Sequence, residues 1–342
     1  MKALNLKEYK QFEFIDVPMP ELEADEVLIQ VKATGICGSD VHGMDGSSGR
    51  RIPPVVMGHE SAGVISQIGG AVTQWQIGDR VTFDSTISCG QCEFCGRGQA
   101  NLCDNRRVFG VSCDEYNQAG AFAEFVKVPD RILYRIPDSM TFQQAAFCEP
   151  VAVALHAVSR VPVSSGDTAV VVGTGIIGLL VVQALKAAGC EKVIAVDLDP
   201  FKLETAKKVG ADETLISGPE TLHQIMEMTG GRGVDIAMEV VGITPTTNMA
   251  IGMLRKGGSL VCVGNIAQKI EFPLQAVVTR ELTVYGTCAI NNEYPEAIEL
   301  ISSGKIQVDP IISKVAPLSE GADWFAKLHE NKDNLLKVIL EP

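Results

Sequence analysis

The stretch VVVGTGIIGLL, residues 170–180, carries an apolar strand into G-x-G-x-x-G and then straight into an apolar helix start. Gly173 allows the tight turn, Gly175 lets backbone approach a pyrophosphate, and Gly178 permits close helix–strand packing, with the phosphates at the helix N-terminus. Alone, the motif also fits a glycine-rich turn in any α/β domain. The next strand, KVIAVD, decides more: it ends on Asp197, nineteen residues after Gly178, where a carboxylate accepts a ribose 2′-hydroxyl and repels a 2′-phosphate. The expected cofactor is therefore NAD rather than NADP. The bland alternative for Asp197 is a solvated strand end; Lys202, five residues on, either reaches the same ribose or is a surface lysine.

Outward from this motif, short unbroken apolar strands alternate with helical patterns: TAVVVG, a helix over 176–189, KVIAVD, a helix over 200–209, VDIAMEVVG, a helix over 245–254, GSLVCVG and LTVYG. That rhythm predicts a Rossmann-type, doubly wound parallel sheet over 151–287 with both faces covered. Residues 1–150 read differently. EVLIQVKATGI, SAGVISQIG, DRVTFD and GAFAEFVKVP alternate apolar and polar residues between Gly and Pro turns, as half-buried strands do. The tail, 288–342, offers two amphipathic helical stretches and a last strand, LLKVILE, expected to pack back onto the N-terminal domain. The fold class is α/β, with a β-rich domain beside a parallel-sheet domain.

Composition excludes some partners. A net charge of −13 over 342 residues argues against nucleic acid, which needs clustered Lys and Arg. Residues 1–30 carry acids throughout and no apolar stretch of signal-peptide length, and the apolar runs elsewhere are broken by glycine. The expectation is a cytoplasmic protein with a small-molecule partner and no membrane span.

The segment CGQCEFCGRGQANLC, residues 89–103, sets four cysteines at C-x2-C-x2-C-x7-C. A disulfide framework, a metal site that runs chemistry and a metal site that only shapes a loop all compete; a reducing compartment argues against the first. A second scattered set comprises Cys37, His59, Glu60 and Glu149. Thiolate, imidazole and carboxylate suit a zinc with an open position, although a lone Cys or His more often serves packing. Pro150 is expected to push Glu149 out of helical conformation, and Cys148 beside it is a rival soft ligand.

GHESAGVISQIGGAV, residues 58–72, fits G-H-E-x2-G-x5-G-x2-V. With CGSD at 37–40, the four-cysteine loop, GAFAEF at 120–125 and the EP dipeptide at 149–150, the chain resembles the zinc-containing medium-chain dehydrogenases over essentially its whole length. The resemblance implies a GroES-like catalytic domain, 1–150, completed by 288–342, with a Rossmann domain between and substrate in the cleft. It implies two zinc ions. One is structural, on Cys89, Cys92, Cys95 and Cys103; the other is catalytic, on Cys37, His59 and Glu60 or Glu149, with Asp40 orienting the imidazole. Ser39 and His42 match a proton relay. Ile176, Ile177, Val240, Val263 and Gly264 join the glycines as cofactor contacts. A homo-oligomer, dimer or tetramer, is implied as well.

The EP dipeptide points to the sorbitol (polyol) dehydrogenase branch, hence to oxidation of a secondary hydroxyl of a polyol, polyol phosphate or vicinal diol by NAD. Gly43 and Ala289 depart from sorbitol dehydrogenase, which carries Tyr and Arg there. Arg50 and Arg51 either meet a phosphate or form a solvated loop pair. The alternatives are an NAD-binding structural or regulatory protein on this scaffold, or a simple alcohol or threonine-type dehydrogenase.

Overall fold

The structure, a computed structural model, describes residues 1–113, 116–331 and 333–342. The chain divides into two compact units, one of Met1–Glu149, Ile290–Ser302 and Ile311–Pro342, the other of Pro150–Ala289 and Ser303–Pro310.

In the first unit, the central strand Glu26–Gly35 pairs antiparallel with Glu60–Ile68, with Phe125–Pro129 and with Lys337–Glu341. Arg80–Phe83 and Leu133–Arg135 extend the sheet on one side, and Ile312–Pro317 on the other. Alternate residues of these strands, among them Val27, Ile29, Val31, Ile65, Val81 and Phe83, enclose one core. A second core gathers Leu4, Leu6, Phe122, Phe325, Val338 and Leu340. The C-terminal strand thus belongs to the same sheet as Glu26–Gly35, with Ile339 opposite Gly35. The strand Ile312–Pro317 has no apolar run to announce it: one of its six residues is fully buried.

The second unit is a six-stranded parallel sheet. Its spatial order is Glu213–Ile216, Lys192–Asp197, Thr168–Val172, Val234–Glu239, Leu254–Cys262, Thr283–Gly286, in which successive strands run outward in both directions from Thr168–Val172. Such an order leaves ligand space at the carboxyl ends of the strands where the direction reverses. The strand Glu213–Ile216 and the helix Thr221–Met228 are additions to the rhythm read from sequence; only Leu215 of that strand is buried, so no unbroken apolar run marks it. No helix among the described residues is long and apolar enough to cross a membrane.

Candidate active site and metal centres

The three motif glycines stand in different surroundings. Gly173 has φ +94°, and a Cβ there would lie 2.5 Å from Val241 Cγ2, so the turn needs glycine twice over. At Gly178 a Cβ would come 1.9 Å from the Gly173 carbonyl oxygen. At Gly175, the N-cap of helix Ile176–Ala187, the same atom would meet open space, which leaves the helix N-terminus approachable. Ile176 and Ile177 are half-buried in the first turn. Asp197 ends its strand with Oδ2 accepting from Thr174 N (2.6 Å) and Thr174 Oγ1 (3.0 Å), and Oδ1 from Asp199 N (3.0 Å). These bonds fix the carboxylate beside the glycine turn. Lys202 Nζ lies 4.0 Å from Asp199. Val240, Val263 and Gly264 sit at the carboxyl ends of their strands; Val263 N and Gly264 N both donate to the Glu239 carbonyl. The buried Glu239 carboxylate accepts from Val241 N and Gly242 N, holding these turns together, and no motif had marked it.

The four-cysteine loop gathers its sulfurs: the Sγ atoms of Cys89, Cys92, Cys95 and Cys103 all lie within 4.8 Å of one another. Cys92 and Cys95 are 3.5 Å apart, Cys89 and Cys95 4.0 Å. A disulfide needs about 2.05 Å, and all four are free. A tetrahedral zinc with Zn–S near 2.3 Å sets sulfurs about 3.8 Å apart, between the two observed values. The donor set therefore fits a closed metal site. Backbone N–H groups of Gln91 and Cys92 push the Cys89 thiol down to about 6, whereas burial pushes Cys103 up to about 11 despite N–H donation from Cys89 and Asn105. Such N–H donors suit thiolates, the form in which sulfur binds metal.

In the same unit, Cys37, His59 and Glu60 form the second cluster, again within 4.8 Å. Cys37 caps the short helix Gly38–Gly43, where Asp40 Oδ2 accepts from Cys37 N (3.4 Å). His59 precedes strand Glu60–Ile68, and Glu60 stands opposite Gly35 in register. Asp40 is fully buried and lies 3.5 Å from His59 Nδ1 and 2.8 Å from Arg51 Nη2. Burial opposes its ionisation, but the charges of His59 and Arg51 outweigh burial and hold its carboxyl below the usual carboxylate range. Thiolate, imidazole and carboxylate so placed fit a zinc, with Asp40 behind the imidazole.

Glu149 lies outside that set: its Oε1 accepts from Ser85 Oγ (2.9 Å). Burial pushes its carboxyl up to about 7, with His59 opposing and Glu60 reinforcing, so it is near enough to sense both. The expectation that Pro150 takes Glu149 out of helix is corrected. Glu149 is in the first turn of helix Cys148–Ser159, where the missing Pro150 N–H would have had no partner in any case. Cys148 is fully buried, and its thiol is pushed above the ordinary range by that burial.

Near this cluster one residue went unread in the sequence and a second was placed in solvent. Lys337, fully buried on the C-terminal strand, donates to the Glu60 carboxylate and, at 3.1 Å, to the Ile36 carbonyl; its Nζ lies 5.7 Å from the centre of the Phe147 ring. Gly35 makes room for this pair, since a Cβ there would fall 2.4 Å from Glu60 Oε2 and 2.8 Å from Lys337 Cε. A lysine inside LLKVILE, an apolar strand, is itself the signal: it can be buried only against a counter-ion. The second is Arg51. The reading of Arg50 and Arg51 as a solvated pair holds for Arg50 alone, because Arg51 is 4% exposed. Ser39 and His42 are exposed.

Asp84, which accepts from Thr86 N at 2.8 Å, adds a titration. Burial pushes its carboxyl up to about 7, with Thr86 opposing and Glu149 and Glu293 reinforcing. The fold thus favours neutral Asp84, and that contribution is present below the ordinary value near 3.8 and lost as pH rises through about 7. Asp84→Asn should leave the melting temperature unchanged near pH 4 and raise it by roughly 2–8 °C at pH 8. Melting curves of both proteins across that range check it, and an equal change at both ends would contradict it.

Residues 23–138 match the alcohol dehydrogenase GroES-like domain, and residues 177–303 the zinc-binding dehydrogenase family. Sorbitol dehydrogenase of Bacillus subtilis is 35% identical over 100% of this chain and 97% of its own length. The chain is a zinc-containing medium-chain dehydrogenase of the polyol branch. D-arabitol-phosphate dehydrogenase of Enterococcus avium is likewise 35% identical, over 97% of this chain and 94% of its own. Among solved structures, a zinc-binding dehydrogenase from Sinorhizobium meliloti bound to NADP superposes with a TM-score of 0.91 at 33% identity, covering 100% and 99% of the two chains. This dehydrogenase thus shares fold and family with enzymes that act on CH–OH groups and use zinc and a nicotinamide cofactor.

Proposed function

We propose that this dehydrogenase oxidises a secondary hydroxyl of a polyol, polyol phosphate or vicinal diol to the ketone, passing hydride to NAD. The observation that carries the reading is the cluster of Cys37, His59 and Glu60, at the N-cap of the helix that bears Ser39 and His42 and at the start of strand Glu60–Ile68. A structural or regulatory cofactor binder needs no such open donor set. Zinc, when bound there, supplies Lewis acidity that eases deprotonation of a hydroxyl. Cys37, His59 and Glu60 hold it, with Glu149 as the nearby carboxylate. Ser39 takes the hydroxyl proton, and the exposed His42 passes it to solvent. Cys89, Cys92, Cys95 and Cys103 hold the second zinc and do no chemistry.

The substrate class follows from polarity. A site whose carboxylates and Ser39 pair with substrate oxygens rejects analogues that lack them. With sorbitol, xylitol, a pentitol phosphate, 2,3-butanediol and ethanol as a panel, absorbance of the reduced cofactor should give the best polyol or diol a kcat/KM at least ~10²-fold above ethanol. Parity with ethanol would place the chain among simple alcohol dehydrogenases. Cofactor binding without turnover of any alcohol would favour the binder.

The preference for NAD rests on Asp197. A relative of the same fold is bound to NADP, so the fold alone does not select NAD and the preference is carried by the charge at this position. Asp197→Ser should shift the NAD-to-NADP ratio of kcat/KM toward NADP by ~1–3 kcal/mol. A native protein that prefers NADP would overturn this assignment. A cytoplasmic setting belongs to the same reading, and so does a second copy of the chain as partner. Support for the latter is the outer edge of strand Thr283–Gly286, unpaired among the described residues, together with the exposed Leu274, Val278 and Val284. Light scattering tests it, with a monomer as the contrary result.

A further inference from the structure

Among the described residues, Arg51 is the one cation that touches both a relay residue and the carboxylate behind His59. Its Nη2 donates to Ser39 Oγ at 3.1 Å and to Asp40 Oδ1 at 2.8 Å. The side chain is buried, and its Nε makes no hydrogen bond among the described residues. An arginine takes such a place only if volume is left for it and its backbone is held.

Both conditions are met. Gly43 lies directly against the stem: a Cβ there would fall 2.8 Å from Arg51 Cδ, 2.9 Å from Cγ and 3.2 Å from Cβ. Any larger residue at 43, such as the tyrosine of sorbitol dehydrogenase, would displace the guanidinium. The backbone on either side of Arg51 is pinned by Ser112, whose Oγ accepts from Ile52 N (2.6 Å) and donates to Ile52 O (2.8 Å), and whose N donates to Arg50 O (3.1 Å).

We propose that Arg51 is a positioning residue that locks Ser39 and Asp40 into one unit, and that Gly43 is glycine in order to admit it. By holding Asp40, Arg51 fixes the orientation of His59 toward the metal; by donating to Ser39 Oγ, it occupies one acceptor direction of that hydroxyl and aligns the other for the substrate proton. A merely structural arginine would stabilise the loop without altering the metal's surroundings. The proposal rests on the function proposed above for Ser39 and His59, and it makes Arg51 part of the active centre.

The test replaces the catalytic zinc by cobalt and compares the native protein with Arg51→Met, Arg51→Lys, Gly43→Ala and, as a control, the exposed Arg50→Met. Three readouts are taken: the cobalt–thiolate and ligand-field absorption, the rate of metal loss to a chelator, and kcat and KM separately. Arg51→Met should shift the cobalt spectrum, speed metal loss from the Cys37 site by roughly 10–100-fold, and lower kcat by a similar factor with little change in KM. Gly43→Ala should move all three in the same direction although it removes no charge. Arg51→Lys, with a shorter reach, should recover part of the loss; Arg50→Met should change nothing.

Native-like spectrum, metal retention and kcat in Arg51→Met would overturn the proposal. Should Arg51→Met fail to fold, a native-like Gly43→Ala on all three readouts would overturn it equally. The two readings fail separately. A native protein that turns over no alcohol, with a cobalt spectrum that still responds to residue 51, would discard the function and keep Arg51. Turnover of a polyol with indifference to residue 51 would do the reverse.

Discussion

Cys37→Ala lowers kcat/KM for polyol oxidation by at least ~10³-fold, since loss of Lewis-acid stabilisation is worth several kcal/mol, while NAD binding and the melting temperature stay near native. The separation follows from position. Cys37 caps a short helix, is only half-buried and belongs to neither of the two cores described for its unit, so its removal withdraws a donor without opening a cavity. The glycine turn and Asp197 belong to the other compact unit. Turnover assays, NAD titration by fluorescence and a melting curve on the same preparation check the three parts. Retention of more than a tenth of native turnover would remove Cys37 from the chemistry.

The second large effect is on stability. Lys337→Met leaves the Glu60 carboxylate buried without its cation, and breaking a buried pair from one side costs about 3–5 kcal/mol. Removing both charges is different: Lys337→Met combined with Glu60→Gln leaves two neutral groups at the same place, and most of the loss should return, since neutral replacement of a buried pair is often tolerated. Denaturant unfolding of the two single variants and the double gives the coupling energy directly. A loss below ~1 kcal/mol in Lys337→Met would mean that Glu60 finds another cation, the metal itself, and that the lysine is not its fixed partner.

The second unit was largely legible because its signals are local. VVVGTGIIGLL specifies strand, turn and helix within a dozen residues, and the carboxylate that meets the turn, Asp197, ends the very next strand, KVIAVD. What escaped there, Glu213–Ile216 and its helix, is an edge element with a single buried residue and hence no apolar run. The two donor clusters were legible as groups of residues, through spacing for the four-cysteine loop and through family motifs for Cys37, His59 and Glu60. Their electrostatic frame was not. Lys337 meets Glu60 across 277 residues and Arg51 meets Asp40 across eleven, by strand pairing and loop anchoring that no local pattern encodes. The restriction that a proline places on the residue before it also misled at Glu149, which lies in the first turn of helix Cys148–Ser159 all the same.

The most direct test of the account is the zinc content of the intact, purified protein measured by mass spectrometry against protein concentration. Two closely packed donor sets, one closed by four sulfurs and one of mixed donors, predict two zinc ions per chain. They also predict one ion after Cys37→Ala, still bound and with the fold intact. A single zinc in the native chain, or two that both survive Cys37→Ala, would contradict the division into a metal that shapes a loop and a metal that serves the reaction.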